Sequence, residues 1–188
     1  MEKLNTHSII QEEDYLKYYM YTISTTEAFN KQRKRMKIIL IIFVLVAAAW
    51  SIYNEAQQGS VTTIIILWII LLPAIYFLFK YLEKRKYTRF FKKYIATNHQ
   101  ENMMKGHDLI FTENELTIKF IEHDLEMPYS DIIEIYQNQN GIYIKNKNES
   151  SFIFPKGDTD FSKIALILEE ASEKYNIPYQ KTENWVWK

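Results

Sequence analysis

The distribution of apolar residues along the chain predicts two membrane-spanning helices. The runs IILIIFVLVAAAWSIY and VTTIIILWIILLPAIYFLF contain no charged residue, and the polar loop NEAQQGS (54–60) separates them. Helices over 36–53 and 61–79 approach the roughly 30 Å thickness of a bilayer hydrocarbon core. We therefore expect a transmembrane helical hairpin over 36–79, in contact with a lipid bilayer.

The apolar runs could instead be buried helices of a soluble protein, or the first run could be a signal peptide. Two buried helices of a soluble protein would need a large apolar core, and the rest of this 188-residue chain is too polar to supply it. A signal peptide would begin closer to the N-terminus and end in a small-residue cleavage site, whereas 35 other residues precede the first predicted span, 36–53. Both observations favour the membrane.

Basic residues cluster on the outer flank of each run, before the first and after the second. The loop 54–60 contains no Lys or Arg and one acid, Glu55. Because Lys and Arg are enriched on the cytoplasmic side of membrane helices, we expect a multi-pass protein of the cell (inner) membrane with both termini in the cytoplasm. The residues that carry this orientation signal are Lys31, Arg33, Lys34, Arg35, Lys37, Lys84, Arg85, Lys86 and Arg89.

The charge balance differs between the two halves of the chain and argues against nucleic acid as a partner. Residues 1–104 carry 14 Lys and Arg against 8 Asp and Glu, whereas residues 105–188 carry 9 against 15. The basic residues lie beside bilayer-sized apolar runs, and the acidic half would repel phosphates. We therefore expect the basic residues to attract anionic lipid headgroups.

The sequence contains no recognisable catalytic or cofactor-binding motif. Cysteine is absent, and there is no GxSxG, HExxH, P-loop or GxGxxG pattern. His99, His107 and His123 could hold a metal only if the fold brought them together, and adjacent residues such as His107 and Asp108 point to opposite faces of a strand. We expect no enzyme activity, no cofactor and no metal.

Amphipathic segments flank the predicted hairpin. Residues 1–35 combine a short strand, THSII, with an amphipathic helix over 12–30 that begins at a group of acids. Residues 80–104 predict a basic amphipathic helix with aromatic residues at three- and four-residue spacing. This helix is either a connecting stalk near the headgroups or a lipid-sensing or partner-binding element.

The segment 105–178 has the pattern of short strands followed by one helix. The predicted strands are LIF, ELTIKFI, DLEMPY, IIEIYQ, GIYIKN and SSFIFP, and the turn NQNG predicts a hairpin between the fourth and the fifth. The helix spans 159–175, and Asp160 or Thr159 can cap it. The fold class is therefore membrane α + β, with a pleckstrin-homology-like (PH-like) cytoplasmic β-barrel or sheet capped by a C-terminal helix.

The last ten residues, 179–188, form an aromatic tail that includes Trp185 and Trp187. Exposed aromatic residues favour association with other surfaces. We expect the tail either to fold back as a strap on the domain or to anchor a partner.

The order of these segments resembles the YcxB-like family of bacterial membrane proteins. The resemblance is carried by HDLIFTENELTIKF, PYSDIIEIYQNQNGIYI and FIFPKGDTDFSKIALILEE, and the arrangement covers nearly the whole chain. Tyr129 stands where the family commonly has an aromatic residue, often Trp. Pro155, Lys156 and Phe161 match its Pro-Lys and following Phe, with a slightly longer connection. The resemblance implies a two-span hairpin followed by a PH-like domain, and thus an architecture and a location rather than an activity.

These patterns lead to three functional hypotheses. The first is a non-enzymatic inner-membrane protein whose cytoplasmic domain binds protein partners or forms homo-oligomers, in envelope signalling or stress. The alternative is a small oligomeric channel or transport accessory subunit, although neither apolar run contains the charged residue that carriers usually need. The third is an enzyme on the cytoplasmic domain. Phosphoinositide binding is disfavoured, because the first predicted hairpin offers only Lys119 among acids.

Overall fold

The computed structural model describes residues 4–56, 61–99, 106–120, 124–148, 150–157 and 160–187, which contain four α-helices and eight β-strands. The helices are α1 (Glu12–Thr25), α2 (Glu27–Ala56), α3 (Val61–Asn98) and α4 (Phe161–Tyr175). The strands are β1 (Leu4–Ile9), β2 (Gly106–Phe111), β3 (Glu115–Lys119), β4 (Asp124–Pro128), β5 (Ile132–Asn138), β6 (Gly141–Asn146), β7 (Ser151–Pro155) and β8 (Tyr179–Thr182).

The chain forms two compact units, and each is described by itself. The helical unit comprises the described parts of Thr22–Arg89 and Trp187–Lys188. The sheet unit comprises those of Met1–Tyr21 and Phe90–Val186.

α2 and α3 are each long and apolar enough to cross a bilayer. Both helices extend beyond the predicted spans, because the helical backbone continues through the basic flanks. Only 6% of the most apolar 18-residue window of α2 is buried, and 0% of that of α3. Phe43 is 71% exposed and Phe77 is 67% exposed. A helix that is apolar all round and uncovered by protein is typical of a membrane span rather than of a soluble core.

The prediction of one helix over 12–30 is wrong, because the structure has a break within it. α1 ends at Thr25, and α2 begins at Glu27. The hydroxyls of Thr25 and Thr26 both donate to the backbone carbonyl of Thr22, at 2.9 and 3.0 Å. Side-chain donors that satisfy a helix carbonyl compete with continued backbone hydrogen bonding, which gives the break a local cause.

The sheet unit contains two four-stranded sheets. The first has the order β1-β2-β3-β4, with antiparallel pairing throughout, and the second has the order β7-β6-β5-β8, with β8 parallel to β5. The six strands predicted between 109 and 155 are confirmed, and so is the hairpin, whose connecting residues are Gln139 and Asn140. Among the described residues, hydrogen bonding does not join the two sheets into a closed barrel.

Two strands near the chain ends make pairings between residues far apart in sequence. β1 pairs with β2, from Leu4 opposite Phe111 to Ile9 opposite Gly106. This confirms the short N-terminal strand predicted at THSII. β8 adds to the edge of β5. It was not predicted, because the sequence YQKT has no apolar alternation.

Apolar side chains from both sheets and from α4 form one core. The apolar face of α4 packs against this core, with Ile164, Leu168 and Ala171 buried. Burial of these side chains supplies the main driving force for folding of this unit. The core residues with no solvent exposure include Phe111, Leu116, Ile135, Ile142, Ile144, Ile164 and Leu168.

The side chain expected to cap α4 has a different role. Asp160 occupies the N-cap position but makes no side-chain capping hydrogen bond. Its carboxylate accepts from Lys163 Nζ at 2.7 Å and from Thr6 Oγ1 at 2.8 Å. The hydrogen bond from Lys163, followed by that from Thr6, lowers the pKa of Asp160. The expected Asp160 cap is therefore wrong, and Thr159, the other candidate, lies outside the described residues.

Candidate functional sites in the helical and sheet units

Arg33 of α2 and Glu83 of α3 form a buried polar link in the helical unit. Arg33 Nε donates to Glu83 Oε1 at 2.8 Å, and Nη2 donates to Oε2 at 2.5 Å. The two side chains are 9% and 11% exposed. A bidentate guanidinium–carboxylate pair fixes both distance and orientation. A residue predicted only as an orientation signal therefore also joins α2 to α3.

Three aromatic rings pack beside this ion pair. Phe29 and Tyr87 meet edge to face with ring centres 5.0 Å apart, and Trp187 lies 5.8 Å from each. The Arg33 guanidinium is 5.1 Å from the Trp187 ring and 5.3 Å from the Phe29 ring. These rings limit the access of water and add cation–π attraction. We call Phe29, Arg33, Glu83, Tyr87 and Trp187 the helix-end cluster.

The other eight residues of the orientation signal lie on α2 and α3 near this cluster, and all are exposed except Lys37, which is half-buried. The pairing of Arg33 with Glu83 sets the register of the two helices. In this register Lys37 and Lys80 are about one helical turn closer to the apolar runs than the ion pair is. Positive charge therefore borders the apolar segments of both helices, an arrangement compatible with anionic headgroups.

A second polar link joins α2 to α3 within the apolar segments. Trp68 Nε1 donates to Ser51 Oγ at 2.7 Å. This bond is 18 residues from Arg33 along α2 and 15 residues from Glu83 along α3, a separation of about 22–27 Å. The two links define an antiparallel helix pair and lie almost a hydrocarbon thickness apart. Such interhelical hydrogen bonds are common stabilising contacts in membrane proteins.

The four residues matched to the family pattern have structural roles in the sheet unit. Tyr129 is 1% exposed, and its hydroxyl donates to the Thr112 carbonyl at 3.2 Å. Burial raises the pKa of Tyr129. Pro155 ends β7, the Lys156 amide donates to a carbonyl of the β5–β6 turn at 3.1 Å, and Phe161 begins α4 against the core. These contacts connect the strands to the helix.

The C-terminal tail folds back on the sheet unit as far as Trp185, so the predicted strap is confirmed for this part. Gln139 Oε1 accepts the Trp185 amide proton at 2.9 Å, and Gln139 Nε2 donates to the Trp185 carbonyl. The Trp185 ring meets Tyr21 edge to face, with ring centres 5.6 Å apart. Lys181 of β8 pairs with Glu169 of α4. The side-chain amide of Gln139 thus holds the tail by hydrogen bonds to the backbone of Trp185.

Aromatic side chains of α1 and of the end of α3 enclose His99. Its Nε2 lies 2.6 Å from the Tyr19 hydroxyl, and Tyr15 stacks on its ring with centres 4.5 Å apart. Phe91 stacks on Tyr19 at 5.5 Å. Burial lowers the pKa of His99 and raises the pKa of Tyr19, so both groups favour their neutral forms.

A cavity of about 200 Å³ lies between the two sheets. Ser8 and His107 lie directly opposite each other in the β1–β2 register and are 3% and 5% exposed. Both residues line the cavity. The structure therefore brings His99 and His107 to one cavity, whereas His123 lies outside the described residues. The polar residues in the wall are Ser8, Tyr15, His99, His107 and Ser151, and the apolar ones are Ile10, Leu109, Ile118, Phe120, Phe152, Ile153 and Phe154.

One feature of the sequence indicates this cavity, although it was not among the predictions. In GHDLIF, His107 shares its face of β2 with Leu109 and Phe111, and all three are buried. A histidine in the apolar register of a strand faces the interior rather than water. The contribution of His99 had no comparable signal, because it depends on how α1 packs against the end of α3.

Within the described residues, no group of three or more acidic or histidine side chains is placed to hold a metal ion. No protein-family model matches the sequence, and no curated protein matches it. The features of the described residues that can indicate a function are therefore the exposed apolar helices, the tail contacts and the cavity.

Proposed function

We propose that this protein is a two-span inner-membrane protein with both termini in the cytoplasm, and that its sheet unit is a protein-interaction or oligomerisation module. The main support for the membrane location is the apolar surface of α2 and α3, which no other part of the described protein covers. Phe43, Trp50 and Phe77 are all more than 60% exposed. In water such a surface would drive aggregation, whereas lipid chains cover it at no cost.

The orientation is supported by the position of charge along the two helices. The exposed Lys and Arg residues precede the apolar part of α2 and follow that of α3, and they leave the connecting end without basic residues. Under the positive-inside rule this places the basic ends, and both termini, in the cytoplasm.

Protein binding by the sheet unit is supported by the way the chain holds its own tail. β8 adds as a four-residue parallel strand to the edge of β5, and Gln139 bonds the backbone of Trp185. Strand addition at a sheet edge is a recurring mode of peptide recognition, because backbone hydrogen bonds provide affinity for an extended segment. The two antiparallel series β2–β4 and β5–β7, followed by α4, support a PH-like fold. Membership of the YcxB-like family stays a prediction.

The membrane topology can be tested by single-cysteine labelling, because the natural chain has no cysteine. We would make Asn54→Cys near the connecting loop and Asn148→Cys in the sheet unit, and treat intact cells with a membrane-impermeant maleimide. Asn54→Cys should be labelled in intact cells, and Asn148→Cys only after permeabilisation. Labelling of Asn148→Cys in intact cells, or extraction of the chain by alkaline carbonate, would contradict the proposal.

The interaction module can be tested with the same variants carrying a photo-cross-linker on the introduced cysteine. We expect one reproducible adduct from Asn148→Cys, either to a second copy or to another protein, with Asn54→Cys as the control. Adducts that do not differ between the two positions would argue against a binding role of the sheet unit.

A further inference from the structure

We propose that the cavity between the two sheets binds a small uncharged ring compound that carries one hydrogen-bonding group, such as a phenol or an indole. None of the residues that line this site takes part in the tail contacts. Four properties of the cavity support it: its volume, its apolar walls, the absence of charge among its described residues and the buried polar residues at one part of its surface.

The volume sets the size of the ligand. The cavity measures about 200 Å³, which corresponds to roughly seven waters at liquid density. Pockets for drug-sized molecules are larger, about 300–1,000 Å³. A single ring or a small fused ring therefore fits, whereas a nucleotide or a phospholipid does not.

The walls favour an aromatic compound. Three of the residues that line the cavity are phenylalanines, Phe120, Phe152 and Phe154. Aromatic rings prefer edge-to-face or offset contacts with one another, as the Phe120 ring already makes with His107 at 4.6 Å between ring centres. A planar ring can make the same contacts inside the cavity.

The lining formed by the described residues disfavours carboxylates and amines as ligands. No Asp, Glu, Lys or Arg is among the described residues that line the cavity. An ion that entered would lose its hydration without gaining a counter-charge, which is costly in an apolar site. Burial also lowers the pKa of His99, so this imidazole stays neutral at neutral pH and offers no compensating positive charge to an anion.

The buried pair Ser8 and His107 gives the ligand a polar anchor. These residues face each other across β1 and β2, and both border the cavity. The ring nitrogens of an imidazole and the hydroxyl of a serine are both hydrogen-bonding groups. A phenol hydroxyl or an indole N–H is a matching partner, and burial of the ring against the phenylalanines supplies the remaining affinity.

The test uses the purified full chain in lipid nanodiscs, with empty nanodiscs as the blank. We would titrate p-cresol, toluene and p-toluate, three probes with the same ring size, and measure binding by calorimetry and by ligand-observed NMR. We expect saturable binding of p-cresol at one site per chain, weaker binding of toluene, and no binding of the anion p-toluate above the blank.

Three variants assign the binding to the cavity. His107→Phe keeps a ring of similar size but removes the polar atoms, so p-cresol should bind about tenfold more weakly while toluene is unaffected. Ser151→Leu places a larger side chain at the wall and should abolish binding of both. His7→Phe is the matched control, because His7 neighbours Ser8 on β1 but is exposed and paired with Asp108. It should leave all three titrations unchanged.

Any of three results would overturn the proposal. The first is the absence of saturable p-cresol binding to the natural chain, and the second is p-toluate binding as tight as that of p-cresol. The third is equal weakening of p-cresol binding by His7→Phe and His107→Phe. If His107→Phe does not fold, the contrast between the natural chain and Ser151→Leu still decides the question.

Discussion

Arg33 and Glu83 lie 50 residues apart in the chain, yet Arg33 Nε is 2.8 Å from Glu83 Oε1 and the pair is almost fully buried. The remaining members of the basic group around Arg33 on α2 are exposed or half-buried. One arginine of the cluster thus has a structural role that composition cannot distinguish from the roles of its neighbours.

Removal of one partner of this pair should destabilise the helical unit strongly. Arg33→Met leaves the Glu83 carboxylate buried without its partner, a change that typically costs about 3–5 kcal/mol. The thermal unfolding midpoint in nanodiscs should fall well below that of the natural chain. Lys34→Met, at the exposed neighbouring position, is the matched control and should change stability by less than about 0.5 kcal/mol.

The double variant Arg33→Met with Glu83→Leu checks the cause of this effect. It replaces the ion pair by apolar side chains, so it should recover much of the lost stability. A double variant as unstable as the sum of the two single ones would show that the residues act independently.

Tyr129 should contribute to the sheet unit mainly through its ring. Tyr129→Phe removes one hydrogen bond to the Thr112 carbonyl and should cost about 1 kcal/mol. Tyr129→Ala opens a cavity at a position that is 1% exposed and should cost about 3–5 kcal/mol. Chemical denaturation followed by circular dichroism measures both, and equal losses for the two variants would contradict this assignment.

His99 should make the sheet unit less stable as the pH falls. The unfolded side chain titrates near 6.5, and burial lowers the pKa in the folded state. As the pH falls below 6.5, the unfolded state binds the proton first, so this contribution to stability is complete above 6.5 and is lost towards the lowered pKa. The denaturation midpoint should therefore fall between about pH 7.5 and pH 5.5 more steeply for the natural chain than for His99→Asn. Identical slopes would show that His99 is not coupled to folding in this range.

Gln139 should control the attachment of the tail. Gln139→Leu removes both hydrogen bonds to the Trp185 backbone, a local loss of about 1–3 kcal/mol. Amide hydrogen exchange and proteolysis around residues 183–185 should become faster, while the β5–β6 hairpin keeps its protection. Gln180→Leu, at an exposed position of β8, is the control. Equal rates for the two variants would mean that the tail is held by its side chains instead.

The local pattern of apolar and polar residues was sufficient to predict most of the helices and strands. The two long apolar helices, strands β1 to β7, the β5–β6 hairpin and the buried face of α4 all follow from periodicity and turn residues in the sequence. Two local predictions failed where side chains took a different hydrogen-bond partner. Thr25 and Thr26 bond the Thr22 carbonyl and interrupt a helix, and Asp160 bonds Lys163 and Thr6 instead of capping α4.

The sequence by itself determined which segments are apolar helices, which alternate as strands and where positive charge accumulates, because these properties depend on residues a few positions apart. Only the tertiary structure decided that Arg33 meets Glu83, that Gln139 holds Trp185, and that His99 and His107 border one cavity. Each of these arrangements involves residues at least eight positions apart in the sequence, and most involve residues more than forty positions apart. Their geometry depends on helix packing, strand register and burial, which no local periodicity encodes.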